Sequence, residues 1–235
     1  MKNKTKQKQK QNKKKQKSKN IYNLNFEAPK DHGYQQTLDA FEKSISLLGL
    51  DYVDLYLIHW PGKQGVKSDS IDNKMIRRES WKAMEKIYKD GKAKAIGVSN
   101  YTISHLSEML DDELCIIKPM VNQVELHPWY KQLELQAFCK QKGIHVQAYS
   151  SLGEGKICNN EEISEIAKQY NKTNAQILLK WALQQDISII PKSCSETRIL
   201  ENRDSISFDL SEEDMITLNS FKDAQKICWD PSIIV

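Results

Sequence analysis

Five short apolar runs in this sequence each end on side chains that could take part in chemistry. The first run, at 54–59, is bounded by Asp51 and by Pro61-Gly62, which is typical of a buried strand that leads into a turn. The polar groups at the ends of the runs are, in order, His59; Ser99 and Asn100; Gln123 and Glu125; Tyr149 and Ser150; and Lys192 and Ser193. Imidazole, hydroxyl and amide groups orient a polar ligand through hydrogen bonds, and a phenol ring can stack on one. These residues therefore form the candidate site.

The elements that would position these groups alternate along the chain. Apolar periodicity and capping residues predict helices at 31–48, 78–90, 104–110, 133–140, 161–169, 174–183 and 196–202, with a last one from Ser211. Strands are predicted at 54–59, 93–98, 121–126, 144–149 and 187–190. This alternation indicates an α/β fold with a parallel sheet. Polar groups at the carboxyl end of every strand favour a barrel mouth, and the sequence has no Gly-x-Gly-x-x-Gly turn of a dinucleotide-binding doubly wound sheet.

Charge is distributed unevenly along the 235 residues. The net charge is +4, and residues 1–20 contain ten lysines and no acidic residue. This tail lacks apolar periodicity, so we expect it to be disordered. It could be a contact arm for nucleic acid or anionic lipid, a solvated extension, or a mistranslated A-rich stretch. We favour the last two interpretations and expect no specific nucleic-acid partner.

Membrane and metal-binding classes are disfavoured by the composition. No apolar run approaches the ~20 residues that a membrane-spanning helix needs, and no signal-peptide hydrophobic region follows the basic start. The five cysteines form neither a Cys-x-x-Cys pair nor a Cys/His ligand pattern, so we expect no metal site. Free thiols are typical of a reducing compartment, and we predict a cytoplasmic protein without a membrane partner.

Five motifs, in this order, resemble those of the aldo-keto reductases. They are Leu-Tyr-Leu-Ile-His-Trp-Pro at 55–61, Ile-Gly-Val-Ser-Asn-Tyr at 96–101, Val-Asn-Gln-Val-Glu-Leu-His-Pro at 121–128, Ala-Tyr-Ser-Ser-Leu-Gly at 148–153, and Ile-Pro-Lys-Ser at 190–193. Arg198, Glu201 and Asn202 follow the last motif. The resemblance implies a (β/α)8 barrel of the TIM type and reduction of aldehydes and ketones to alcohols by hydride transfer from NADPH. It also implies a small-molecule carbonyl substrate and, for a complete family member, a monomer.

The resemblance also implies a role for each candidate residue. His59 would be the catalytic group that hydrogen-bonds the substrate carbonyl, and Trp60 would line the substrate pocket. The cofactor-binding residues would be Ser99, Asn100, Gln123, Tyr149, Ser150, Leu152, Lys192, Ser193, Arg198, Glu201 and Asn202. Tyr149 would stack on the nicotinamide, and the side chains with amides would bind its carboxamide. Lys192 and Arg198 would bind the adenosine 2′-phosphate, so we expect NADPH to be preferred over NADH.

Part of the family pattern is absent from this sequence. The catalytic Asp and Tyr would lie near a Gly-Tyr/Phe-Arg-x-x-Asp stretch, which does not occur, and Phe26 stands where the catalytic Lys is expected. We therefore predict about five of the eight strands, with 1–30 as a tail and unmatched segment and 31–235 as the C-terminal portion of an N-terminally incomplete barrel. The alternatives are a catalytically impaired NADP(H)-binding pseudoenzyme or a gene-model fragment, and we expect slow turnover from the chain as written.

The remaining tryptophans and histidines carry no site signal in the sequence. Trp81, Trp181 and Trp229 are predicted to be packing residues on helix faces or at the surface. His32 and His105 fall outside the five motifs and are assigned no role.

Overall fold

The computed structural model of the chain describes residues 24–222 and 226–235, and the predicted disordered tail at 1–20 lies outside them. At the centre is one sheet of six parallel strands arranged in sequence order. The strands are β1 (Leu24–Glu27), β2 (Val53–Ile58), β3 (Ala93–Ser99), β4 (Val121–Glu125), β5 (His145–Tyr149) and β6 (Ser188–Ile189). Within the described residues, β1 and β6 are the two edges of this sheet.

Helices connect successive strands. They are α1 (Tyr34–Leu48), α2 (Asp72–Lys89), α3 (Ile103–Asp111), α4 (Leu133–Lys142), α5 (Glu161–Tyr170), α6 (Asn174–Leu183), α7 (Glu196–Asp204) and α8 (Glu212–Ser220). Short 3-10 turns lie at Pro29–Asp31, Gly153–Gly155 and Pro231–Ile233. The alternation confirms the predicted α/β fold of the TIM-barrel type, present here as part of an eight-stranded barrel.

The structure has one strand more than the five that the sequence predicted, and the additional strand is β1. It occupies Leu24–Glu27, inside the segment 1–30 that the sequence analysis left unmatched. Phe26 pairs with Leu57 of β2, and the His59 amide continues the ladder by donating to the Glu27 carbonyl at 3.1 Å. Its residues Leu-Asn-Phe-Glu alternate apolar and polar side chains as in a half-buried strand, but a run of four residues is too short to stand out in the sequence.

Helix boundaries differ from prediction mainly at the starts. Helix α1 begins at Tyr34, after Gly33 at the N-cap position, and the expected cap Asp31 instead ends a 3-10 turn. Helix α2 begins at Asp72, six residues earlier than predicted. Helix α6 has the predicted bounds, and Thr173 caps it by accepting a hydrogen bond from the Gln176 amide.

The hydrophobic core fills the space between the sheet and the helices. Phe41 of α1 packs edge to face on Tyr56 of β2, with ring centroids 4.9 Å apart. Trp181 of α6 is fully buried, and its indole donates to Asn219 at 2.9 Å. Trp81 is also buried, as predicted. None of the helices described here is long and apolar enough to cross a membrane.

A close approach of β3 to β4 requires glycine at position 97. A Cβ added to Gly97 would lie 2.4 Å from the Val121 carbonyl oxygen and 2.8 Å from Leu57 Cδ2. We therefore expect Gly97→Ala to lower the free energy of unfolding by about 1–3 kcal/mol, as overpacking does. Urea denaturation measures this, with Lys94→Ala as the control, because Lys94 lies exposed on the same strand. Equal stability of Gly97→Ala and the unmodified chain would contradict the close approach.

Candidate active site

The carboxyl ends of the strands open onto two adjoining cavities. The first has a volume of about 1010 Å³, and the second about 1390 Å³. Tyr149, Glu154 and Ile190 line both, so the two cavities meet beyond β5 and β6. Parallel strands bring their carboxyl ends to one edge of the sheet, which is where barrel enzymes hold their catalytic groups.

Every candidate residue named from the sequence lines one of these cavities, except Glu125, which is buried behind them. The first cavity contains His59, Trp60, Ser99, Asn100, Gln123 and Tyr149. The second contains Tyr149, Ser150, Leu152, Lys192, Ser193, Arg198, Glu201 and Asn202. Residues from five separate motifs, up to 143 positions apart, thus surround one continuous cleft.

A hydrogen-bond network fixes the aromatic ring at the junction of the cavities. The Tyr149 hydroxyl donates to Asn100 Oδ1 at 2.7 Å, and Asn100 Nδ2 donates to the His59 carbonyl at 2.9 Å. Asn100 adopts a left-handed backbone with φ of 66°, which asparagine tolerates better than most residues. The Ser99 hydroxyl donates to the Gln123 carbonyl at 2.8 Å. The network therefore links the ends of β2, β3, β4 and β5.

Tyr149 presents its ring face to the cleft, and its hydroxyl is poorly placed to donate a proton to a ligand. Burial raises the pKa of its phenol above the ordinary value, and nearby Cys228 and Glu125 act in the same direction. The hydroxyl proton is already engaged with Asn100. A weaker acid whose proton is committed to a neighbour is poorly placed to protonate a ligand, so the ring face is what Tyr149 offers to the cleft.

His59 lies at the first cavity beside an apolar neighbour. Its ring centroid is 4.9 Å from that of Phe26, which also lines the cavity. Loss of hydration lowers the pKa of His59, while the nearby Glu27 carboxylate opposes this shift. The imidazole is therefore mostly neutral at pH 7 and can donate one N–H to a ligand oxygen. Phe26, the residue that the sequence places at the position of the family's catalytic lysine, is this neighbour of His59.

Trp60 is oriented through its backbone by a histidine that the sequence analysis overlooked. His32 is fully buried, and its Nε2 contacts the Trp60 carbonyl at 2.8 Å while Nδ1 contacts Glu27 Oε1 at 2.8 Å. His32 therefore bridges the Glu27 side chain of β1 and the backbone of Trp60. No signal in the sequence marked this contact, because His32 falls outside the five motifs and lies 28 residues before Trp60.

The prediction that Trp229 is only a packing residue is wrong. Trp229 lines the first cavity, and its ring lies 6.5 Å from that of Trp60 in an edge-to-face arrangement. It belongs to residues 226–235, here called the closing segment, which also contributes Ile227, Cys228 and Ile234 to the cavity. The closing segment forms a wall of the cleft opposite the strand ends.

The second cavity carries two cations without acidic partners. Lys192 and Arg198 are both exposed, and no ion pair with either occurs in the part of the chain that the structure describes. Ser195 caps α7 by accepting from the Arg198 amide, so the amino end of this helix faces the same cavity. Unpaired cations at a helix amino terminus suit a phosphate group. The residues present therefore fit the phosphorylated end of NADPH.

Comparison with protein families identifies the chain. The model of the family described as "Aldo/keto reductase family" matches residues 3–223. The chain belongs to the aldo/keto reductase family. Members of the family are NADP-dependent oxidoreductases that reduce carbonyl groups, and this chain belongs to that class. The comparisons do not favour the alternative of a non-catalytic NADP(H)-binding protein.

Curated relatives of this family are similar over most of the chain. Glyoxal reductase of Bacillus subtilis is 48% identical over 202 residues, which cover 86% of this chain and 68% of the relative. The 9,11-endoperoxide prostaglandin H2 reductase of Trypanosoma cruzi is 46% identical over 204 residues, with the same coverage of 86% and 68%. The chain thus spans about two thirds of the length of each.

Solved structures of the family share the fold. An aldo-keto reductase from a Medee basin deep-sea metagenome library superposes with a TM-score of 0.81 at 39% identity, covering 89% of this chain and 74% of that one. A variant of the protein Gox0644 in complex with NADPH superposes with a TM-score of 0.82 at 34% identity, covering 90% and 74%. NADPH is therefore the cofactor of the family to which this chain belongs.

Proposed function

We propose that this chain binds NADPH along both cavities and reduces small aldehydes and ketones in the first one. The substrate class we favour is the 2-oxoaldehydes, because the relative from Bacillus subtilis is named a glyoxal reductase. The observation that carries the proposal is that His59, Tyr149, Lys192 and Arg198 line one continuous cleft. We further propose a monomeric, cytoplasmic protein in which 31–235, together with the edge strand β1, form the barrel portion.

The proposed placement assigns each end of the cofactor to a different cavity. The nicotinamide would lie on the Tyr149 ring, with its carboxamide against the polar side chains that end β3 and β4. The 2′-phosphate would lie between Lys192 and Arg198, with Ser193 beside it. Glu201 and Asn202 would contact the adenine side. Bound in this way, NADPH supplies the hydride that reduces the carbonyl carbon.

His59 would orient the substrate during that reduction. Its neutral imidazole can donate an N–H to the carbonyl oxygen, which draws electron density towards the oxygen as hydride reaches the carbon. Trp60 and Trp229, whose rings pack edge to face, would together form an apolar wall against the rest of a small substrate. The oxygen would finally take a proton from water, because neither a Tyr other than Tyr149 nor an Asp lines the first cavity among the described residues.

The choice of NADPH over NADH gives a direct test of the phosphate site. Replacing Arg198 by Met should weaken NADPH binding by about 1.5–3 kcal/mol, the value of a charged hydrogen bond, and leave NADH nearly unchanged. The matched control is Arg203→Met, because Arg203 is exposed on the same helix and lines neither cavity. The dissociation constants are measured by titrating each nucleotide against intrinsic fluorescence. Equal losses for both nucleotides would defeat the assignment.

A further inference from the structure

The closing segment is fastened to the barrel at both ends. At its start, the backbone amides of Ile227 and Cys228 point to the Glu125 carboxylate. At its end, Arg77 donates to the Val235 carbonyl at 2.8 Å, and His105 Nε2 donates to the Ile234 carbonyl at 2.9 Å. The stretch between these contacts carries Trp229 and a 3-10 turn at Pro231–Ile233.

The Glu125 carboxylate is buried, and both of its oxygens are hydrogen-bonded. It has no exposed surface and accepts four hydrogen bonds. Oε1 accepts from the Ile227 amide at 2.5 Å and from His127 Nε2 at 3.3 Å. Oε2 accepts from the Cys228 amide and from Lys226 Nζ, both at 3.0 Å. A buried carboxylate is costly unless its oxygens are fully satisfied, and three of these four donors belong to the closing segment.

The position of Glu125 connects the closing segment to the cofactor side of the cleft. Glu125 is the last residue of β4 and pairs in register with Tyr149 of β5. It lies two residues after Gln123, so both side chains leave the strand on the same face. Cys228 in turn contacts the Ser150 hydroxyl at 3.4 Å through its Sγ. A shift of Glu125 would therefore move the segment relative to the Tyr149 ring.

Two bonds to consecutive backbone amides fix a chain more tightly than a side-chain ion pair does. The amides of Ile227 and Cys228 cannot rotate independently, and the carboxylate receives one on each oxygen. The ion pair with Lys226 is partly exposed, with 19% of the lysine side chain accessible, so solvent weakens it. The backbone contacts are therefore the ones that hold the segment.

We infer that Glu125 is a positioning residue, whose carboxylate holds the closing segment by two backbone amides and thereby sets the Trp229 side of the substrate cavity. The part of this inference that concerns substrate rests on the proposed function. The part that concerns the segment does not, because it follows from contacts within the free chain. Glu125 contacts neither the proposed substrate nor the nicotinamide, so its effect on reduction passes through Trp229 and its neighbours.

Hydrogen exchange of the free chain tests the attachment. At labelling times too short for global unfolding, Glu125→Gln should make amides in peptides covering 226–229 exchange about tenfold faster or more, with peptides from β4 and β5 unchanged. Lys226→Met should accelerate the same amides much less, because it leaves both backbone bonds in place. The matched control is Glu134→Gln, since Glu134 is exposed on the neighbouring helix α4. If Glu125→Gln does not fold, Glu125→Asp replaces it, because the shorter side chain cannot reach both amides.

The outcomes separate attachment from general stability. Unchanged exchange at 226–229, or equal acceleration throughout the barrel, would overturn the inference. In assays of reduction, the altered wall should raise the KM for methylglyoxal about tenfold, with the NADPH dissociation constant within about twofold of the original. A parallel weakening of NADPH would also overturn it. If the chain binds no NADPH at all, the proposed function fails, and the exchange result still decides the role of Glu125.

Discussion

We expect this chain to reduce methylglyoxal about 10²–10⁴ times faster when an added N-terminal segment supplies an Asp, a Tyr and a Lys to the first cavity. Positioned general acid catalysis typically contributes a rate increase of that size. Tyr149 is the tyrosine that lines this cavity in the described part of the chain, and its hydroxyl is bound to Asn100. Lys63 also lines it, but Lys63 Nζ donates to the His32 carbonyl. Neither group is free to supply the proton.

NADPH oxidation measures this difference, and a single substitution provides the control. Phe26→Lys places an amine beside His59 without adding the tyrosine whose pKa it would lower. Because residues of a catalytic unit lose most of their effect when one is missing, we expect this variant to gain less than about tenfold. If the unmodified chain already reduces methylglyoxal as fast as the extended one, the proton comes from a group outside this account, and the prediction is wrong.

The second large effect concerns stability and pH. Burial alone would raise the pKa of Glu125, but hydrogen bonds from His127, Ile227, Lys226 and Cys228 outweigh burial and lower it from 4.5 to about 2. A carboxyl whose pKa is lowered by folding stabilises the folded state above its unfolded pKa. That contribution is lost as the pH falls from about 4.5 through about 2, and its full size corresponds to about 3 kcal/mol.

We therefore expect Glu125→Gln to reduce the free energy of unfolding by about 3 kcal/mol at pH 7 and by progressively less towards pH 2.5. Urea denaturation at a series of pH values measures both the size and the trend. Glu134→Gln, on the exposed face of α4, should change neither. A loss of stability that stays constant between pH 7 and pH 2.5 would show that the charge of Glu125 is not what stabilises the fold.

The strands β2 and β3, which the sequence predicted, are longer and more completely buried than β1. Their runs are β-branched, and the sequence encodes their burial directly. Leu24–Glu27 is a four-residue edge strand that is only partly buried, and it is stabilised by pairing with β2. Its apolar and polar residues alternate, but the run is too short for this pattern alone to identify a strand. The start of α2 gives a similarly weak signal, because Asp72 and Lys74 are exposed and Asn73 is polar although it is buried.

Some residues of the candidate site could be predicted from the sequence, and others could not. Groups that end strands were predictable, because parallel strands necessarily gather their carboxyl ends at one edge. Trp229 lies outside every helix and strand and carries no periodicity, so only the folded chain places it beside Trp60. Glu125 was noted as a strand-end group, but its role depends on amides about a hundred residues away. Contacts over such separations leave no trace in a single sequence.

A crystal structure of the chain with NADPH is the most direct test of whether one cleft holds the cofactor across the ends of the strands. In that structure we expect the nicotinamide ring on the face of Tyr149, its carboxamide near Asn100 and Gln123, and the 2′-phosphate between Lys192 and Arg198. A nucleotide bound elsewhere on the protein, or a cleft that remains empty at a saturating concentration of NADPH, would contradict it.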